Sequence, residues 1–140
     1  RGAATKGGGL QAMVLAARDD DPECKRYGLI GLCNLACDAQ TQVQVLVHGG
    51  LPPILEQAEL QVDPSSTRPL NADNLRYAAM ALCNLAASEE NHNTMVTKGA
   101  LERLIALTKC DDDDIVQYAA FALANFSSNM DVHDQLGRGG

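Results

Sequence analysis

The chain has 140 residues, 46% of them hydrophobic, a length and composition that fit one folded domain with its own core and exclude disorder. Only 4% is aromatic and Trp is absent, so the core has to come from Leu, Val, Ile, Ala and Met, which favours close-packed helices over a β-sandwich. Eighteen acidic residues against eleven basic ones give a net charge of −7, a surface that repels phosphate backbones and anionic lipid and excludes nucleic acid as the expected partner.

Asp21-Pro22 is the first clear helix start, since a side-chain oxygen, negative charge and a proline all suit a first turn. It opens a long helix through "YGLIGLCNLACD" from Tyr27. "TQVQVLVHG", Thr41 to Gly49, alternates apolar and polar like a strand. It shares its register with "NHNTMVTKG" from Asn91 and nearly so with "DVHDQLGRG" from Asp131, neither of which alternates, so it is read as a short helix ending at a glycine. A second apolar helix follows in "LPPILEQAEL". "QVDPSSTRPLNADN", Gln61 to Asn74, carries Pro64, Pro69, Ser65 and Ser66 and reads as an exposed loop. Then come the Ala- and Leu-rich helix "RYAAMALCNLAAS" with Asn84 inside it, the helix "LERLIALTKC", and the Asp111 to Asp114 run that opens "YAAFALANFSSN" from Tyr118.

These segments repeat. In each long helix Tyr precedes Asn by seven residues, as Tyr27 and Asn34, Tyr77 and Asn84, Tyr118 and Asn125. Glycines recur at fixed distances from the Asn (Gly8, Gly49, Gly99, Gly140), which sets a period of 41 residues. The interval from Gly49 to Asn84 is nine residues too long, and the 61–74 loop absorbs the excess. The chain thus divides into units 8–48, 49–98 and 99–139 within one domain spanning 1–140, each unit made of a short helix, a glycine, a second helix, an acidic turn and a long Asn-bearing helix.

Period, glycine and the "ALCNLA" and "ALANFS" motifs resemble the armadillo repeat; the nearest rival, the HEAT repeat, has two helices per unit and does not expect this Asn. The resemblance covers essentially the whole chain. It implies an all-α fold, a right-handed α-solenoid of three-helix repeats whose third helices line a concave groove that holds extended segments of partner proteins. Importin-α-type units place a Trp four residues before the Asn, where this chain has Ile30, Met80 and Phe121, so the walls that sandwich lysine side chains are missing. Val116 to Ser127 is similar to vacuole-anchored and armadillo-only membrane scaffolds more than to β-catenin.

Helical geometry provides an independent check. At about 100° per residue, positions four, seven and eleven before each Asn fall on its face. That face carries Glu23, Tyr27, Ile30 and Asn34; Asp73, Tyr77, Met80 and Asn84; Asp114, Tyr118, Phe121 and Asn125. An amide offers a donor and an acceptor together, so the Asn ladder suits the backbone of an extended peptide whatever its side chains. The alternative is that each Asn bonds only to an adjacent repeat, and that the Tyr rings pack between repeats. The three acidic residues either select a basic partner or stabilise helix N-termini. Leu32, Leu35, Leu82, Leu85, Leu123 and Phe126 are expected to be core.

No catalytic motif is present: there is no G-x-S-x-G, H-E-x-x-H or phosphate loop, His48, His92 and His133 lack ligand spacing, and the Asp run lacks the spaced ligands of a calcium loop. No cofactor or metal is expected, and no enzyme. Arg138-Gly139-Gly140 matches an RNA-binding tripeptide only through the repeat glycine. Five cysteines in no framework spacing, with no secretory leader, point to free thiols in a reducing, cytoplasmic setting, and no apolar run reaches the ~20 residues a bilayer requires. The expected function is a protein-interaction scaffold, with self-association through uncapped repeat ends; the alternatives are a structural spacer in a longer solenoid and an importin-α-like carrier of basic segments.

Overall fold

In the computed structural model, which describes residues 8–62, 64–65 and 69–128, three of the acidic turns start helices by one device. Asp21 accepts from the N–H of Glu23, with Pro22 in the first turn, and opens α2 (Pro22–Leu35) after the shorter α1 (Leu10–Ala17). Asp38 accepts from the N–H of Gln40 and opens α3 (Ala39–Val47). Asp112 accepts from the N–H of Ile115 and opens α8 (Asp113–Ser127). Each cap satisfies one of the N–H groups that a helix start leaves without a partner. Between them lie α4 (Leu51–Gln57), α5 (Ala72–Leu85), a 3₁₀ turn (Glu89–Asn91) leading into α6 (His92–Thr97), and α7 (Ala100–Leu107).

The alternating stretch from Thr41 is helical, as its register requires. Its Asp38 cap and the burial of Gln42 and Val45, three residues apart on one side, outweigh the local pattern. Gly49 and Gly99, at the ends of the short helices, have φ of 82° and 93°, the left-handed backbone that only glycine adopts without strain. The unit boundaries at 48/49 and 98/99 fall at these joints, between a short helix and the second helix that follows. The final stretch of the third unit, with His133, "DVHDQLGRG" and Arg138-Gly139-Gly140, lies outside the described residues.

The third helices stack in order, α2 against α5 and α5 against α8, and the second helices back them, α1 on α2, α4 on α5 and α7 on α8. Central α5 is therefore covered on several sides and buries Leu75, Ala78, Ala79, Ala81, Leu82 and Leu85. Leu32, Leu82, Leu85 and Phe126 are fully buried as expected, whereas Leu35 and Leu123 are only half-buried against the edge of the core. At Gly28 the first two helices come closer than a side chain permits: a Cβ there would overlap the backbone N of Ala17 and lie 2.7 Å from the carbonyl carbon of Ala16.

The insertion closes on itself. Val62 pairs with Pro69 in an isolated antiparallel bridge, the Leu70 N–H donates to the Gln61 C=O (2.6 Å), and Asn71 Nδ2 donates to the Glu59 C=O (3.1 Å). Residues 72–74 already belong to the first turn of α5. Among the described residues no helix is long and apolar enough to cross a membrane.

Candidate functional site along the third helices

The three Asn residues are not in mid-helix. Asn34 and Asn84 are the penultimate residues of α2 and α5, and Asn125 is third from the end of α8. An Asn in a last turn perturbs few helical bonds, which explains its tolerance among strong helix formers. Two of the amides reach back to the preceding repeat, one to the turn after α2 and one to α5. Asn84 Nδ2 donates to Cys37 Sγ at 3.3 Å, and Asn125 Nδ2 donates to the Cys83 C=O at 3.4 Å. Both bonds use the donor side, and the oxygen side of each amide accepts from no group among the described residues. Asn34, with no third helix before it among the described residues, is exposed.

The positions seven and four before each Asn form an apolar stripe beside the amides. Tyr27 is 65% exposed and Phe121 52%, while Tyr77, Tyr118, Ile30 and Met80 are half-buried. Of the two roles read for the tyrosines, Tyr77 and Tyr118 do pack against the core, and Tyr27 stands out from it.

Glu23, Asp73 and Asp114 are exposed in the first turns of α2, α5 and α8. Asp73 is the most engaged: Arg76 Nη1 donates to its Oδ1 at 3.1 Å, and Arg26 Nη2 of the preceding repeat lies 4.0 Å from its Oδ2. Arg76 in turn donates through Nη2 to Asp112 Oδ2 at 2.7 Å. Arg26 and Arg76 both stand eight residues before an Asn, so each reaches the acidic start of the next third helix; Gln117 holds that place in the third repeat. Burial pushes the Asp112 carboxyl up, but the Arg76 hydrogen bond, the Ile115 N–H and the Arg76 charge outweigh it and hold the group below its ordinary range.

A buried polar joint between repeats was invisible in the sequence. Asn91, 2% exposed, donates through Nδ2 to the carbonyls of Gln42 (3.1 Å) and Leu85 (3.0 Å). Ser88 donates to the Gln42 side chain, and His92 Nε2 lies 2.6 Å from the Ala86 C=O, its ring 4.7 Å from that of Phe126. The sequence carries little signal of it: Asn91-His92 holds the same register as the polar pair Thr41-Gln42 and reads like any polar helix start.

All five cysteines are unpaired. Burial pushes the Cys33 thiol up to about 12, so it stays neutral and unreactive, while Cys37 is exposed and donates to the Cys33 C=O at 3.5 Å. Among the described residues no group of three or more His, Cys, Asp or Glu side chains is placed to hold a metal ion.

The stack of third helices with an Asn in the last turn of each places the chain in a structural class, the α-solenoids, and comparison with solved structures makes the class specific. A designed armadillo repeat protein in complex with the peptide (KR)4 superposes with a TM-score of 0.81 at 21% identity, over 98% of this chain and 55% of that one. A second designed armadillo repeat protein gives 0.78 at 22% identity, over 95% and 53%. An engineered protein from a structural genomics consortium gives 0.74 at 30% identity, over 90% and 50%. The chain thus spans about half the length of each. No protein-family model matches the chain, and no curated protein does. The chain has an armadillo-like repeat fold, all-α and solenoidal.

Proposed function

We propose that this chain is part of a protein-interaction scaffold, not an enzyme, that holds an extended segment of a partner protein along the face formed by α2, α5 and α8, in a reducing, cytoplasmic compartment. One observation carries the reading. Tyr27 and Phe121 remain 65% and 52% exposed on the face where the Asn oxygens accept from no group among the described residues, in a chain that fully buries its other phenylalanine. Exposed aromatic rings beside open backbone-type acceptors are what an extended peptide requires: apolar seats for side chains and polar partners for its N–H groups. The peptide held by a solved neighbour of the same fold supports this reading. The net charge of −7 favours a partner with basic residues.

A second reading has its own observation. The donor sides of Asn84 and Asn125 are engaged with the preceding repeat, which is what a spacer held together by its amides would show.

A fluorescence-anisotropy titration with two labelled probes, an alternating Lys-Arg octapeptide and an alternating Lys-Leu octapeptide, decides between them. Saturable binding of at least one probe is expected, weakened at least about tenfold when Tyr27 and Phe121 are both replaced by Ala, since anchoring aromatic residues at such surfaces carry on the order of 2 kcal/mol each. Both side chains are more than half exposed, so the variant should melt like the parent. Binding of neither probe overturns the proposal.

A further inference from the structure

The two ends of the stack carry the two halves of a joint that is complete inside it. On α5, against which α8 stacks, Leu75, Ala79 and Leu82 are fully buried. The same places on α8, nine, five and two residues before its Asn, hold Val116, Ala120 and Leu123. Ala120 is exposed there, and Val116 and Leu123 are only half-buried. At the other end, Tyr27 of α2 is 65% exposed, whereas Tyr77 and Tyr118, each with a third helix stacked before it, are half-buried. Residues 129–140 contain no Tyr, and so no Tyr and Asn pair of the kind that marks each third helix. Among the described residues the third helix with nothing stacked before it is α2, so the segment that matches the α8 face is α2 of a second copy.

One polar position differs between the inner joint and this outer one. Inside the stack Arg76 stands between Asp73 of its own helix and Asp112, the cap of the next third helix. In the outer joint the corresponding residues are Gln117, Asp114 of its own helix and Asp21, which caps α2 as Asp112 caps α8. Two acidic turns, residues 19–21 and 111–114, would therefore meet with no arginine between them.

We propose that copies of this chain associate head to tail, α2 of one stacking on α8 of the next as α8 stacks on α5, and that Gln117 in the place of an arginine keeps the association weak. The joint is heterologous: each added copy leaves one α2 end and one α8 end open, so the assembly grows with concentration instead of stopping at a pair. The inference does not depend on the peptide-holding reading, and salt separates the two. Screening weakens the hold on a basic segment and relieves the repulsion of acid for acid across the joint.

The test is sedimentation velocity of the full chain over about a hundredfold range of concentration, at low and at high salt. The average mass should rise with concentration, and more steeply at high salt. Gln117→Arg, at an exposed position, should tighten the association about two- to fivefold, the range of an exposed ion pair, and flatten the salt dependence. Ala120→Lys and Tyr27→Lys, both at exposed positions, should each give monomers. Mixing those two variants should restore a pair that grows no further, because one intact α2 end then meets one intact α8 end. Thermal melts check that both fold like the parent, and Ala120→Gln and Tyr27→Ser replace any lysine variant that does not. A parent that stays monomeric throughout, as it would if residues 129–140 cover the α8 face, overturns the proposal. So does a mixture that stays monomeric, or association that Ala120→Lys abolishes and Tyr27→Lys leaves intact, which would mean that two α8 faces pair with each other.

Discussion

Nη2 of Arg76 stands 2.7 Å from Oδ2 of Asp112, while the other oxygen of that carboxylate accepts the Ile115 N–H at the start of α8. A single carboxylate is therefore a helix cap and the anchor that ties one repeat to the next. The Asp112 side chain is 12% exposed, so this pair is better shielded than the looser Arg26 and Asp73 pair one repeat earlier, at 65% exposure for its acid.

Because the Asp112 carboxyl titrates below its ordinary range when folded, it stabilises the protein above its unfolded value, about pH 4, and that contribution fades as pH falls through the lower folded value. Asp112→Ala should cost about 1 kcal/mol near neutral pH from the cap alone. Thermal melts of parent and variant from about pH 7 to about pH 2 should converge at the acid end. A gap that stays constant across that range would show that the charge contributes nothing.

Gly28→Ala should destabilise the protein although Ala is the better helix former by about 1 kcal/mol. The new methyl would meet the α1 backbone at Ala16 and Ala17, which cannot swing aside as a side chain does, and overpacking of this kind costs about 1 to 3 kcal/mol. The equivalent positions six residues before the other two Asn residues are already Ala78 and Ala119, fully buried without strain. A denaturant melt showing the variant equal to or more stable than the parent would mean that α1 shifts freely on α2.

Asn91→Ala removes two buried hydrogen bonds that tie one repeat to the next, each worth about 1 kcal/mol, and leaves a void where the amide stood, although the Leu85 C=O keeps the Ser88 N–H. A large drop in melting temperature is expected, far beyond that of any single Asn→Ala change on the third helices. Equal drops for Asn91→Ala and Asn34→Ala would remove the distinction drawn here between a structural and a surface-facing Asn.

The repeat was legible because it was written redundantly. A glycine in left-handed backbone and an Asn seven residues after a Tyr recur at fixed intervals, so even the strand-like alternation at Thr41 was overruled by its register. What escaped depended on contacts across units. Nothing in the spacing of Arg76 and Asp112, thirty-six residues apart, announces an ion pair, and Asn91 looks like any polar residue at a helix start until Gln42 and Leu85 close over it. The Asn ladder was legible in position but not in bonding: its donors turn toward the preceding repeat, which no single repeat reveals.

The central claim is that the α2, α5 and α8 face holds a partner through Asn34, Asn84 and Asn125. The most direct measurement is a thermal melt and an octapeptide titration on one variant with all three replaced by Ala. The bond from Asn84 goes to sulfur, a weak acceptor, that from Asn125 to Cys83 is long, and Ala is favoured in helices by a few tenths of a kcal/mol per site, so stability should stay within about 1 kcal/mol of the parent. Affinity should fall at least about tenfold, since each peptide group left unpaired costs roughly 1 to 3 kcal/mol. A variant that melts far below the parent, yet binds the octapeptide with parental affinity while still folded, would show instead that these amides hold the stack together and that the partner, if any, binds elsewhere.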